Sequence, residues 1–283
     1  MHSPVPQPEK RHDMIANWGQ VESYAYWSTF TVAFLGVSVW ESVRPRGTLS
    51  VPAARRWRNH GLLLVLASLC SMVVLRSTPV LAAMAVQRGP YGLTWLEHVP
   101  LFASFALTLL LLDFVKYAVH RLLHSAGFLW RLHQVHHSDP DFEVSTGLRA
   151  HPIETVLTQG SALLVILVLR LPPAAVLAAE LMSCAQSCFQ HANASLPPAL
   201  EGALRPWLVT PDMHRIHHSM EEVDQQRNLG ETFPWWDRLL GTYSPSTATG
   251  NKQFPTGLKG ANNPASMRLA FMLATPFKAP REQ

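Results

Sequence analysis

Charged residues and cysteines are both scarce in this sequence. Charged side chains make up 15% of the 283 residues, against roughly 25% in a typical soluble domain, which argues against a disordered chain, a coiled coil and a highly charged soluble domain. The three cysteines lie in apolar stretches without a CxxC pair, so a disulfide scaffold or a zinc ribbon is not indicated. The net charge of +4 is small, and the basic residues are scattered or flank apolar runs, a pattern that does not predict a nucleic-acid-binding surface.

What the sequence has instead is a series of long apolar runs. Five of them approach or reach the roughly 17–25 residues of a membrane-spanning helix, and they cover residues 24–40, 61–86, 99–119, 155–169 and 174–189. Leu171-Pro172-Pro173 separates the last two runs, because proline lacks an N–H and restricts the residue before it. We therefore predict an all-α fold, a polytopic membrane helical bundle. The alternative is a soluble helical protein with buried core helices.

The distribution of arginine predicts how this bundle is oriented. Five arginines fall in one short segment: Arg44, Arg46, Arg55, Arg56 and Arg58. By the positive-inside rule, the 44–60 segment should face the cytoplasm. Segments 120–152 and 192–283 should then share the cytoplasmic side as a histidine-rich cap, and the Leu171–Pro173 turn should face outward.

Histidine is present in unusual excess. Ten of the 14 histidines lie between residues 120 and 218. Eight of them form one HxxxH and two HxxHH motifs: His120 and His124; His133, His136 and His137; His214, His217 and His218. Because residues i, i+3 and i+4 share a helix face, each motif directs several imidazoles to one place, and neutral imidazole binds zinc, copper, iron and nickel. Eight histidines exceed the four ligands of a tetrahedral zinc ion, which predicts two metal ions.

These motifs belong to an ordered set of strings that resembles the fatty acid hydroxylase/sterol desaturase superfamily of integral-membrane di-iron enzymes. The strings are DFVKYAVHRLLH at 113–124, LWRLHQVHHS at 129–138, GLRAHPIE at 147–154, FQHAN at 189–193, TPDMHRIHHS at 210–219, NLG at 228–230 and WDRLLGTY at 236–243. The likeness extends over roughly residues 110–245, whereas the N-terminal runs share only general hydropathy.

The resemblance implies a set of metal ligands that carry the catalysis: His120, His124, His133, His136, His137, His191, His214, His217 and His218. Some members of the family have another histidine four residues before the one that matches His191, where this chain has Ser187. A water held by Asn193, or a rearranged site, is expected to replace it. His151 is an alternative, but its HPxE string also predicts a helix start, and a supporting role behind the ligands is favoured.

Carboxylates near the motifs are candidates for orienting the ligands. Asp113 precedes His120 by two helical turns, so it is expected to accept a hydrogen bond from the second nitrogen of that imidazole, and an acid within a membrane segment is commonly functional. Glu154 and Asp212 are weaker candidates for the same role.

Other residues of the matched region are expected to be structural. Asn228 and Asp237 should support the fold, Trp235 and Trp236 should anchor the chain at the membrane interface, and Cys184 and Cys188 should be small buried apolar side chains. Four histidines lie outside every motif and are given no role in the site: His2, His12, His60 and His98.

The resemblance also implies the chemistry. Two iron ions would bind O2, accept two electrons and remove hydrogen from a membrane lipid, an acyl chain or a sterol-like molecule, giving hydroxylation or desaturation. Zinc is able to replace iron in purified protein. With no Gly-rich dinucleotide motif and no cysteine cluster, the chain needs an external electron donor of the cytochrome or ferredoxin type. Two alternatives remain, a di-zinc membrane hydrolase and a membrane metal carrier that is not an enzyme.

The same patterns suggest how the chain is organised and where it resides. We expect a flexible N-terminal tail (1–20), an N-terminal transmembrane region (21–98), a membrane-embedded di-iron core (99–245) and a C-terminal tail (246–283). The tail lacks the segments of a cleavable signal peptide. The compact length and the absence of a C-terminal retention signal favour a bacterial inner membrane.

Overall fold

The regular secondary structure of the described residues is helical. The structure is a computed structural model that describes residues 8–251, 253–260 and 264–278. Its α-helices are α1 (Pro8–Val43), α2 (Ala53–Leu75), α3 (Pro79–Arg88), α4 (Leu101–Ser125), α5 (Gly127–His137), α6 (Pro152–Leu169), α7 (Pro173–Gln190), α8 (Pro198–Leu204), α9 (Pro211–His217), α10 (Glu222–Gln225), α11 (Trp235–Leu240) and α12 (Leu269–Ala274). Short 3-10 helices span Trp95–His98, Val144–Leu148, Pro264–Met267 and Thr275–Phe277. The described residues form two isolated bridges but no strand, which confirms the predicted all-α class.

The N-terminal region is more helical than predicted. Helix α1 begins at Pro8, inside the segment expected to be a flexible tail (1–20), and residues 1–7 lie outside the described residues. Helix α2 begins at Ala53, inside the segment taken as a basic loop. The limits of the other predicted regions remain predictions.

Three helical segments have the length and composition to cross a membrane: Ala53–Arg88, Leu101–Ser125 and Pro152–Leu169. Each carries large apolar side chains on its outside; Val73, Phe102 and Leu164 are 71%, 86% and 63% exposed. Apolar surface of this kind is expected where lipid rather than water surrounds a helix. The predicted runs 24–40 and 174–189 lie in α1 and α7, which do not belong to this set of three. The chain is therefore a helical membrane protein, as predicted.

Helices α3, α4, α6 and α7 pack around one apolar core. Its buried members include Val80, Leu112, Ile166, Leu171 and Val176. Helix α6 ends where Arg170 adopts a left-handed conformation with φ of 51°, and Pro172-Pro173 then starts α7, which confirms the predicted break. At the opposite end of this core, α4 contacts α5, α5 contacts α6 and α7 contacts α9, and these contacts gather the histidine motifs.

Candidate metal centre

The structure brings all nine of the predicted ligands together in two groups. The first metal group is His120, His124, His133, His137 and His217, and the second metal group is His136, His191, His214 and His218. Within each group the candidate ligand atoms all lie within 4.8 Å of one another. Helices α4, α5 and α9 and the C-terminal end of α7 supply these side chains.

Helix geometry explains how each HxxHH motif is divided between the two groups. Successive residues turn by about 100° around a helix, so residue i+4 lies about 40° from residue i, whereas i+3 lies about 60° to the other side. The outer pair of each motif therefore faces one group, and the middle histidine faces the other. The motif on α5 gives its outer pair to the first metal group, and the motif at α9 gives its outer pair to the second.

Four of the nine imidazoles have their orientation fixed through Nδ1. The acceptors are the Leu229 carbonyl for His120 (2.8 Å), a Glu154 carboxylate oxygen for His133 (2.7 Å), the Ser187 carbonyl for His191 (2.8 Å) and the Arg227 carbonyl for His217 (2.9 Å). Each acceptor oxygen takes the Nδ1–H, which leaves Nε2 without a proton and with its lone pair available.

Three Nε2 atoms of the first metal group lie close together but cannot form hydrogen bonds with one another. His120 Nε2 lies 3.1 Å from His133 Nε2 and 3.1 Å from His217 Nε2. All three rings carry their proton on Nδ1, so three lone pairs point at the same place. A cation about 2.1 Å from each nitrogen, the usual length of a bond from imidazole to zinc, would turn this repulsion into coordination.

Buried imidazole nitrogens without a hydrogen-bond partner also indicate metal. Among the described residues, both ring nitrogens of His124 and His137 have none, and neither do His214 Nδ1 and His218 Nε2. An unsatisfied buried polar group costs about 1–3 kcal/mol. Coordination would satisfy one nitrogen of each of these four rings, so the residues present fit a pair of metal ions.

Burial keeps six of the ligands outside the candidate spans in the neutral form. It lowers the pKa of His217 to about 3 and that of His191 to about 4. Burial, reinforced by neighbouring imidazoles, also lowers the pKa values of four other ligands well below the ordinary range: His136, His137, His214 and His218. Because only neutral imidazole binds metal, these sites are prepared for coordination at neutral pH.

The segment around residue 228 positions two ligands through its backbone. The carbonyls of Arg227 and Leu229 accept from His217 and His120, and Asn228 between them has φ of 52°. The Asn228 amide donates to the Met213 and Ser244 carbonyls. Asp237 accepts from the Leu229 and Gly230 N–H groups, both at 2.8 Å. The structural roles predicted for Asn228 and Asp237 therefore serve to hold the acceptors of two histidines.

The prediction that Asp113 orients His120 is wrong. Asp113 instead accepts from the backbone N–H of Thr232 at 3.0 Å and from the indole N–H of Trp236 at 2.8 Å, so Trp236 is tied to this carboxylate. The His120 ring faces the Leu229 carbonyl. Asp113 thus fastens the segment that follows Leu229, and it acts on His120 only through that segment.

Asn193 and His151 also lie outside both metal groups, and their supporting roles at the site remain predictions. The Asn193 amide donates to the Gly47 carbonyl at 2.8 Å and its backbone N–H donates to Glu41, so Asn193 fixes the connection between α1 and α2. His151 caps α6 by accepting from the Ile153 N–H at 3.2 Å. The HPxE string at 151–154 therefore marks the start of a helix, the second interpretation given to it in the sequence analysis.

At the position of the absent tenth histidine, the backbone carbonyl of Ser187 orients His191. Gly147 lies opposite; a Cβ atom there would come within 3.0 Å of both His191 Nδ1 and Ser187 Oγ. Only glycine leaves this ligand in its present position, because any larger residue would push against its ring.

A buried ionic network next to the site was not predicted. Arg56 forms paired hydrogen bonds with Asp139, at 2.8 and 2.7 Å, and a third with Glu143 at 2.9 Å. His60, which has no motif, is fully buried between Ser145 and Arg149. The sequence carries little sign of this network, because Arg56, Asp139 and Glu143 each resemble an ordinary surface charge when considered alone.

Of the two weaker carboxylate candidates, Glu154 contacts a ligand and Asp212 does not. Asp212, whose side chain is 32% exposed, pairs with Arg46.

Changing Glu154 to glutamine weakens the acceptor for His133, so we expect activity or metal affinity to fall about 10–100-fold, as is usual for groups that orient a ligand. Metal titration and turnover of the membrane-inserted protein measure the effect. Asp212→Asn is the control; equal values for the two variants would show that Glu154 does not orient His133.

The part of the chain that carries the metal centre is similar to known proteins. Residues 105–242 match the fatty acid hydroxylase family model. The chain is 30% identical over 149 residues to ornithine lipid hydroxylase OlsE of Rhizobium tropici, covering 53% of this chain and 44% of the relative. It is 33% identical over 132 residues to alkylglycerol monooxygenase of Caenorhabditis elegans, covering 46% and 25%, and 29% identical over 135 residues to the human alkylglycerol monooxygenase, covering 46% and 28%.

The matched part is the part that carries the two metal groups. The chain spans less than half the length of these curated relatives, and no solved structure matches it. All nine histidines, the Glu154 carboxylate and the segment around residue 228 fall inside the matched range. Through residues 105–242, the chain is similar to the fatty acid hydroxylase family.

Proposed function

We propose that this chain is a membrane-bound oxidoreductase that uses two iron ions and O2 to hydroxylate a membrane lipid. The observation that carries the proposal is the convergence of nine buried histidines in two adjoining groups. The relatives are named as a lipid hydroxylase and as monooxygenases, which supports hydroxylation over desaturation.

The residues of the chain bind and orient, and the metal supplies the oxidising power. Breaking an unactivated C–H bond requires a redox-active cofactor, because side chains cannot supply that chemistry. The nine histidines would hold the two ions through ring nitrogens. Glu154 and the carbonyls of Arg227 and Leu229 fix the rings of three of them. These contacts keep the ligand rings in place for the metal ions they would hold.

The geometry is less suited to the two alternatives. A metal carrier needs ligands along a path through the membrane, whereas these nine are concentrated at one end of the helical core. A zinc hydrolase needs about four ligands for each tetrahedral ion, and the first metal group offers five. Zinc also has no redox chemistry, so iron is the metal that fits the activity of the relatives.

The orientation in the membrane and the partners belong to the same proposal. The exposed arginines Arg44, Arg55 and Arg58 favour a cytoplasmic position for the metal end of the bundle, by the positive-inside rule. An external one-electron donor, a cytochrome or a ferredoxin, would deliver two electrons from that side for each lipid oxidised. A bacterial inner membrane remains our proposed location.

Metal content and lipid oxidation test the proposal together. Gently purified protein should contain about two transition-metal ions per chain, since each group offers a complete set of ligands. Supplied with iron, an electron donor and isotope-labelled O2, it should introduce labelled oxygen into a membrane lipid. Activity retained with one metal ion or none would overturn the di-metal assignment, and iron-loaded protein that oxidises no lipid would overturn the proposed activity.

A further inference from the structure

The candidate ligands are enclosed, and one aromatic side chain connects them with the surface. None of the nine is more than 9% exposed, so a protein that delivers electrons cannot touch them directly. Among the described aromatic side chains other than histidine, two contact ligand rings: Trp130 and Phe142. Phe142 is only 3% exposed, whereas Trp130 is half-buried and reaches the surface.

Trp130 contacts three ligands of the first metal group. Its ring centroid lies 5.0 Å from that of His124, 5.4 Å from that of His137 and 6.3 Å from that of His133. His133 and His137 follow Trp130 at i+3 and i+7 along α5, so the three side chains share a helix face. An electron crosses packed, bonded atoms more readily than an open gap. The indole therefore offers a route from the surface to the ion that these ligands would hold.

The surface beside Trp130 is basic and lies outside the membrane segments. Helix α5 and the C-terminal segment 264–278 contain three basic residues, Arg131, Arg268 and Lys278, and no aspartate or glutamate. Neither segment belongs to the three candidate spans, so a water-soluble partner is able to reach both. The Arg131 guanidinium donates to the Lys278 carbonyl at 2.6 Å, which fastens the C-terminal segment next to α5.

Two exposed phenylalanines accompany these charges. Phe128 is 60% exposed and Phe277 is 64% exposed, and the 3-10 helix that ends at Phe277 packs against α5. We call Phe128, Arg131, Phe277 and Lys278 the donor surface. Exposed apolar groups bordered by charge are typical of sites that bind a partner. A small surface is sufficient, because electron-transfer complexes bury less than about 1,200 Å².

The charge of the donor surface indicates an acidic partner. Complementary charge raises the rate of encounter and suppresses binding of partners with like charge. An anionic bilayer would also attract Arg131 and Lys278. A bilayer carries no electrons, however, and it would not account for the contact between this surface and the ligands through Trp130. A protein that delivers electrons accounts for both features.

We propose that a small acidic one-electron donor protein docks on the donor surface and that its electrons pass through Trp130 to the first metal group. In each encounter the donor loses one electron and the ion held by the first metal group gains one. Two encounters then supply the two electrons needed for each lipid oxidised. The inference rests on the proposed function, because only a redox-active centre needs such a donor, and it names where the donor binds and which side chain connects it to the ligands.

Docking is tested on the metal-free protein, without turnover. The probe is a plant-type ferredoxin, an acidic one-electron donor with a [2Fe–2S] cluster, and calorimetric titration of the full chain in nonionic detergent measures its affinity. Added salt should weaken the binding, because it screens exposed charges. Arg131→Gln and Lys278→Gln should each weaken it about two- to fivefold, the usual effect of one exposed charge pair. Cytochrome c, which is basic, should not bind measurably.

Arg88 provides the matched control for the charge variants. It is exposed and ends α3 beside the end of α6 that lies away from the metal groups, where Arg170 donates to the Gly89 carbonyl. Arg88→Gln removes the same charge and should leave the affinity for ferredoxin unchanged.

Electron transfer is tested on iron-loaded protein without lipid or O2. Reduced ferredoxin is mixed with the protein, and stopped-flow absorbance follows its oxidation. Trp130→Leu should lose most of the electron-transfer rate while keeping the affinity for ferredoxin, because the aromatic contact is gone and the donor surface is intact. Trp130→Phe keeps a ring and should give an intermediate rate, and it serves if Trp130→Leu does not fold. Dithionite, a small reductant that needs no docking, should reduce all three proteins at similar rates.

Several results would overturn the inference. Equal ferredoxin affinities in the Arg131, Lys278 and Arg88 variants would refute the docking site. Charge variants that retain less phosphatidylglycerol on purification, with ferredoxin binding unaltered, would mean that the surface contacts lipid instead. An unchanged rate of ferredoxin oxidation in Trp130→Leu would show that electrons enter elsewhere.

The proposed function fails in a different way. Iron-loaded protein that dithionite reduces but that then oxidises no lipid with O2 would refute the function. The ferredoxin affinities and electron-transfer rates would still decide the inference, because neither measurement requires a lipid.

Discussion

Replacing His137 with alanine is expected to remove one of the two metal ions and to abolish lipid oxidation. His137 is fully buried, and neither of its ring nitrogens has a hydrogen-bond partner among the described residues. Its ring stacks on that of His218, a member of the second metal group, with centroids 4.4 Å apart. His137 therefore lies at the boundary between the two metal groups. The number of bound metal ions should fall from about two per chain to about one, because the first metal group loses a direct bond to its ion while the second keeps all four of its ligands.

The same loss of activity is expected for three other ligand variants: His133→Ala, His217→Ala and His218→Ala. His98→Ala is the control, because His98 is exposed and lies outside both groups. Near-normal turnover in His137→Ala together with inactivity in His98→Ala would refute the site. His60→Ala is not a neutral control, contrary to what its lack of a motif suggests, because its buried ring contacts Ser145 and Arg149.

Eight of the nine candidate ligands were predictable from local helix geometry, whereas His191 was implied only by the resemblance to the family. Spacings of three and four residues determine which histidines share a helix face, and this holds wherever the helix lies in the fold. The strings of the family then indicated that the separate motifs belong to one site. The structure adds the division into two groups, which depends on how α5 and α9 face each other.

The contacts that orient the ligands were less predictable, because most of them come from the backbone. Asp113 and His120 share a face of α4, as their spacing indicated, but the acceptor for His120 is the Leu229 carbonyl. Every residue has a carbonyl, so the sequence carries no mark of which one will accept. Only the path of the chain after α9 brings that carbonyl to the ring.

The buried ionic network shows a second limit of reading residues one at a time. Arg56 was counted among the basic residues that flank a membrane segment, yet it is fully buried at the start of α2. Its partners Asp139 and Glu143 follow the histidines of α5 and are more than 80 positions away in the sequence. Pairing over such a distance depends on tertiary structure, which hydropathy and charge counts do not represent.

Asp139→Asn is expected to destabilise the protein by about 3 kcal/mol. Breaking a buried ion pair from one side typically costs about 3–5 kcal/mol, because the remaining charge is left uncompensated; the lower end applies here because Asp141 and Glu143 still contact Arg56. Arg56 and Arg149 hold the pKa of Asp139 well below its usual range despite burial, so the carboxylate is charged at neutral pH. Thermal unfolding in detergent measures the loss.

The exposed pair of Glu221 and Lys259 provides the comparison for this stability measurement. Glu221→Gln removes the same kind of charge from a side chain that is 50% exposed, and surface changes usually stay within about 0.5 kcal/mol. Because Asp139 lies two residues after His137, its loss should also loosen the end of α5 and weaken metal binding. Equal unfolding temperatures for Asp139→Asn and Glu221→Gln would mean that the network does not stabilise the segment that follows the ligands of α5.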